Sequence, residues 1–117
     1  MHPIFEFIGE MFRGPTFDIE EQSRRCLRLR YGRTRMVFDQ DFLMVMRDGS
    51  AVAAFASISS VEISRSRSSD RPERWVVRLI LHEGRTVFVG SVLEDVQASI
   101  VAARIATITG HGVTFES

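Results

Sequence analysis

Arginine is the residue type in this chain best equipped for chemistry. All 15 basic side chains are arginine, and there is no lysine. A guanidinium is a planar fork that keeps its charge and meets carboxylate or phosphate oxygens two at a time. Six of them fall between positions 24 and 35: Arg24, Arg25, Arg28, Arg30, Arg33 and Arg35, with no acid among them. On a strand, the two-residue period puts Arg24, Arg28 and Arg30 on one face. Two uses fit. One is a solvated face paired with Asp18, Glu20, Glu21, Asp39 or Asp41, as net-neutral domains interleave charge on their surfaces. The other is an anion site in which Arg28, Arg30, Arg33 and Arg35 take a phosphate or carboxylate group. A second group, Arg65, Arg67, Arg71 and Arg74, lies in a serine-rich stretch that reads as a solvated loop.

The other reactive residue types form no catalytic pattern. His2, His82 and His111 lack ligand spacing, and His82 and His111 read as exposed. Asp39 and Asp41 could be paired carboxylates, but their turn setting favours side-chain bonds to backbone. Cys26 is the single cysteine, which rules out an intramolecular disulfide and a cysteine-rich zinc site. Its basic neighbours would lower its pKa if it were exposed, but a lone strand cysteine more often packs as a small hydrophobe. No glycine-rich phosphate loop is present. The expectation is a non-enzyme without cofactor or metal.

Composition sets the outer bounds. The chain has 117 residues, 44% of them hydrophobic and 26% charged, with 15 acids balancing the 15 arginines. That is one globular domain, and its neutrality argues against coating nucleic acid through bulk charge. No apolar run approaches the roughly 20 residues a membrane span needs. Nothing before Arg13 supplies the basic start of a signal peptide, so the expected compartment is the cytoplasm.

The elements that must position these residues read as follows. Residues 1–15 form a short amphipathic helix: Ile4, Phe5, Phe7, Ile8, Met11 and Phe12 share an arc, and Gly14-Pro15 ends it. Thr16 to Gln22 is an acidic linker into the body, 16–117. Seven strands follow, over 24–31, 34–38, 42–47, 51–56, 59–65, 74–82 and 85–90, with turn signals between them that suit antiparallel hairpins. Trp75 is expected to pack in the core. Ser91 and Glu94 read as a capping box opening a helix that Gly110 closes. That helix is apolar on two sides: Val92, Leu93, Val96, Ile100 and Ala103 on one, Val101, Ile105 and Ile108 on the other. One side covers the sheet, and the other is left for the first helix or another subunit.

Within this order, Phe55-Ala-Ser-Ile-Ser-Ser-Val-Glu-Ile63 resembles the Ile-x-x-Val-x-Val strand of small bacterial pleckstrin-homology-like domains. Leu79-Ile-Leu-His-Glu-Gly-Arg-Thr-Val-Phe-Val89 resembles their last hairpin, with the helix following at once. The resemblance spans roughly residues 23–110. It implies an α+β, mainly antiparallel fold: a seven-stranded bent sheet or barrel with a C-terminal capping helix, to which this chain adds its N-terminal helix. In lipid-binding members, basic residues of the first hairpin hold phosphoinositide phosphates, and Arg30, Arg33 and Arg35 sit at a similar place.

The N-terminal stripe completes the functional expectation. A helix this short is marginal alone in water, so its apolar face must rest on something. It can dock on its own domain, pack against a second copy or another protein, or lie on a membrane, the last opposed by Glu6 and Glu10. The expected function is a binding or assembly module acting through protein–protein or self-association by apolar helices and sheet edges, with Phe5, Ile8, Met11 and Phe12 as contacts. The alternative is anion or phospholipid-headgroup binding by the arginine hairpin.

Overall fold

The computed structural model describes residues 14–116. Among these the chain is α+β, with nine strands in two sheets and one helix. The first sheet is a five-stranded antiparallel meander, β1 (Phe17–Gln22), β2 (Cys26–Tyr31), β3 (Thr34–Asp39), β4 (Met44–Arg47) and β5 (Ser50–Ala54). A single 3-10 turn, Phe55–Ser57, carries the chain across, with Phe55 buried. The second sheet has the order β8-β7-β6-β9. Its strands are β6 (Ile58–Ser68), β7 (Arg71–Leu81), β8 (Thr86–Val92) and β9 (Val113–Glu116), the last parallel to β6. The helix α1 (Asp95–Thr109) contacts β6, β7 and β8 of one sheet and β2 and β3 of the other.

The seven expected strands are present, at slightly shifted bounds, as β2 to β8. The expectation of a seven-stranded sheet or barrel needs correction, because the sheets are not closed and two strands are added. The first is β1, where an acidic linker was expected. Only Phe17 and Ile19 alternate inward, and the outward positions Asp18, Glu20 and Glu21 resemble loop composition. What makes this segment a strand lies on its neighbour, since Asp18 pairs with Arg30 and Glu21 with Arg28 across the ladder. The second is β9, four residues of which only Val113 is packed against the core.

Turn chemistry follows the residues. Asp48 and Gly49, at φ 47° and 86°, close β4 onto β5 with both central residues in the left-handed region, the requirement of a two-residue type I′ hairpin. The stretch around Ser66 to Glu73, expected as a loop, is instead the far end of the β6–β7 hairpin, paired as far as Ser68 and Arg71. Alternating serine and arginine suit a strand that is wet on both faces there, and β-pairing supplies the order that apolar packing does not.

One hydrophobic cluster joins both sheets and the helix. Leu27, Leu29 and Phe38 enter it from the first sheet, Val61, Ile63, Val77 and Leu79 from the second, and Ala98, Val101, Ala102 and Ile105 from α1. Trp75 lies at its margin, partly buried, with the Arg65 guanidinium 5.5 Å from the ring centroid. The capping box does not form: Ser91 belongs to β8, and Glu94 begins the helix without a side-chain cap bond. Gly110 does close it, at φ 78°. Among the described residues, no helix is long and apolar enough to cross a membrane.

Candidate functional site

The arginine hairpin is largely tied up by its neighbour. Arg28 meets Glu21 at 3.3 Å, and Arg30 meets Asp18 at 3.1 Å and Glu20 at 3.8 Å. Arg35 grips Glu20 with both arms, Nε to Oε1 at 2.7 Å and Nη2 to Oε2 at 3.1 Å. That grip holds the Glu20 carboxyl below its ordinary value and raises Arg35. Arg33 alone of the four has no ion pair among the described residues. Arg24 is not on the strand face shared by Arg28 and Arg30, because β2 begins only at Cys26 and Arg24 sits in the turn before it.

Two of the second arginine group, Arg65 and Arg67, are paired in the same way. Glu73 receives Arg67 at 2.7 Å and Arg65 at 3.4 Å. Arg74 donates Nε to Ser91 Oγ and Nη2 to the Ser91 carbonyl, both at 2.6 Å, and so ties β7 to the end of β8. Asp39 accepts the backbone N–H of Asp41 at 2.9 Å and of Phe42 at 3.2 Å, which is the turn role its sequence setting favoured. Burial, and then Glu21, push the Cys26 thiol up, away from a reactive thiolate. Among the described residues no group of three or more His, Cys, Asp or Glu side chains is placed to hold a metal ion.

Two surface features remain. The first is the outer face of α1. Its buried side is Ala98, Val101, Ala102 and Ile105, while Val96 and Ile100 are 63% and 45% exposed and Ala103 is exposed beside them. The chain enters the described body next to this face. Thr16 shares a depression with Leu93, Glu94 and Gln97, and residues 17–19 share one with Gln97, Ile100 and Val101. The proposed contacts Phe5, Ile8, Met11 and Phe12 lie outside the described residues.

The second feature was not singled out from the sequence. A cleft of about 540 Å³ opens between the C-terminal end of α1, the β1–β2 turn and the β3–β4 turn. Arg24, Arg104 and His111 line it together with Leu43, Phe55 and Ile108. His111, expected to be exposed, is half-buried, and its Nε2 lies 2.8 Å from the Phe55 carbonyl oxygen. A carbonyl only accepts, so Nε2 carries the proton. Arg24 and Arg104 are about 80 positions apart in the chain, and no local spacing rule links them. Only the fold places them on one cleft.

Compared with family models, curated proteins and solved structures, the chain matches none of them.

Proposed function

We propose that this chain is a non-enzymatic binding or assembly module that self-associates through the outer face of α1 together with the apolar stripe of residues 1–13. The observation carrying this reading is the exposure of Val96 and Ile100 on a helix whose opposite side is fully committed to the core. A solvent-facing helix side ordinarily carries charge, and contiguous exposed apolar surface marks contact sites. Thr16 to Ile19 border that face, and the segment that carries Phe5, Ile8, Met11 and Phe12 immediately precedes them in sequence. A short tether gives a high effective concentration for docking, on the same body or on a second copy.

The body that presents this face is, on our reading, pleckstrin-homology-like. In its favour, β2–β5, then β6–β8, then α1 follow that fold's order of four strands, three strands and a helix, with β1 and β9 as additions.

Solution mass by light scattering tests the function, on the full chain and on a Val96→Glu/Ile100→Glu variant. An oligomer that the variant converts to a folded monomer is the expected result. A full chain that is monomeric across the micromolar range, or a variant that stays oligomeric, removes the proposal.

A further inference from the structure

We propose that the cleft at the C-terminal end of α1 is a binding site for a small amphiphile, a carboxylate on an apolar body. This is a ligand site separate from the assembly face.

The cleft has the two surfaces such a ligand requires. Its volume, about 540 Å³, falls within the ordinary range of small-molecule pockets. Leu43, Phe55 and Ile108 supply apolar wall, and Arg24 and Arg104 supply charge. Among the described residues, no carboxylate lines it. This is unusual on this molecule, where the acids of β1 and Glu73 are spent on neighbouring arginines. The Arg24 and Arg104 side chains have no hydrogen-bond or ion-pair partner among the described residues. Two unneutralised guanidinium groups beside an apolar wall favour an anion whose remainder is apolar.

The end of α1 opposes this, since its carbonyls carry partial negative charge into the same cleft. A helix terminus contributes less than a charge-assisted hydrogen bond does, so two arginines outweigh it. The same opposition disfavours a second negative charge, which is why the headgroup is assigned as a carboxylate rather than a phosphate.

Leu43 adds an independent sign. It holds φ at 55°, in the left-handed region that leucine rarely enters, and keeps 51% of its surface exposed at the cleft. Strain of this kind persists where the surrounding structure imposes it, and it gathers at ligand sites. Here the Leu43 carbonyl accepts the Phe55 N–H at 2.8 Å, and His111 holds the Phe55 carbonyl from the other side. The apolar wall is thereby fixed before any ligand arrives.

The test is titration of the full chain with octanoate, octanol, octyl phosphate and inorganic phosphate, followed by amide chemical shifts. Octanoate is expected to shift resonances of residues 22–24, 40–43 and 104–111 and to bind about tenfold or more tightly than octanol. Arg24→Gln and Arg104→Gln should each weaken octanoate by about tenfold, while Arg33→Gln, equally unpaired but remote, should leave it unchanged. The arginine variants change exposed side chains, and their unchanged spectra elsewhere will show that they fold. Absence of octanoate binding, equal binding of octanol, or indifference to both arginine changes overturns the proposal. Tighter binding of octyl phosphate than of octanoate overturns the carboxylate assignment. Shifts of the same residues by inorganic phosphate alone overturn the amphiphile.

Discussion

The Phe17 ring lies directly against the backbone of Gly90. A Cβ built on Gly90 would stand 2.5 Å from Phe17 Cε1 and Cζ and 2.8 Å from Tyr31 Cδ1. Gly90 sits on β8 and Phe17 on β1, so the strand that reads as a linker packs its first aromatic ring onto the second sheet. The Phe17 and Tyr31 rings meet at 5.3 Å with their planes tilted by 45°, and Tyr31 meets Phe88 edge-on at 5.9 Å. Glycine is needed here for space, not for an unusual φ.

Gly90→Ala is therefore expected to destabilise the fold by about 1–3 kcal/mol, the range for overpacking a tight site. Urea unfolding measures it. Phe17→Leu in the same chain should recover part of the loss, because it withdraws the clashing ring atoms. The two changes should then be non-additive by more than about 0.5 kcal/mol. Additive costs would mean that the contact between Phe17 and Gly90 is not what excludes the methyl group.

Tyr31 makes a second tie between the sheets, its hydroxyl donating to the Ser91 carbonyl at 2.8 Å. Tyr31→Phe removes that bond and keeps the ring. The usual cost of losing one hydrogen bond is about 0.5–1.5 kcal/mol. Arg74 donates to the same carbonyl, so the acceptor stays satisfied and the cost should fall at the low end. In an Arg74→Met background the carbonyl loses both donors, and the same tyrosine change should cost more. Equal costs in the two backgrounds would show that water replaces the lost donor.

How far the fold could be read in advance depends on where each signal was stored. Strands β2 to β8 announce themselves through alternation and turn residues, as at Val61 and Ile63 or at Asp48-Gly49. Strand β1 does not, because its outward acids match arginines on β2 rather than any local pattern. The capping box misled because Ser91 was already engaged by Arg74 and Tyr31, tertiary contacts that carry β8 through Val92. On α1 the two apolar arcs were visible, and packing decided between them: Val101 and Ile105 went inward, while Val96 and Ile100 stayed outside. The cleft was invisible, since Arg24 and Arg104 meet only after both sheets and the helix are assembled.

Glu62 links stability to pH. Its carboxyl is pushed up, chiefly by burial between β6 and its neighbours, then by the hydrogen bond and charge of Glu116 on β9, with Arg78 pulling the other way. A raised native value means the folded protein holds the proton longer than the unfolded chain. This contribution is fully present below the ordinary value of 4.5 and is lost as pH rises through the raised native one. Glu62→Gln should flatten the stability profile in that window and unfold at higher urea than the parent at pH 7. Glu116→Gln should move the profile the same way, since it removes the same repulsion. If Glu62→Gln is less stable than the parent at pH 7, the attraction to Arg78 at 3.9 Å outweighs burial and repulsion together.

Leu43 separates what the fold needs from what the cleft needs. Leucine in the left-handed region costs about 1–2 kcal/mol, whereas asparagine enters it readily. The side chain is half-exposed, so little burial is lost on replacing it. Leu43→Asn is accordingly expected to stabilise the chain by about 1 kcal/mol in urea unfolding. The same change removes an apolar wall of the cleft, so octanoate should bind more weakly although the protein is more stable. A gain in stability with undiminished binding would take Leu43 out of the ligand site. A loss of stability would show that its exposed side chain contributes more packing than its backbone conformation costs.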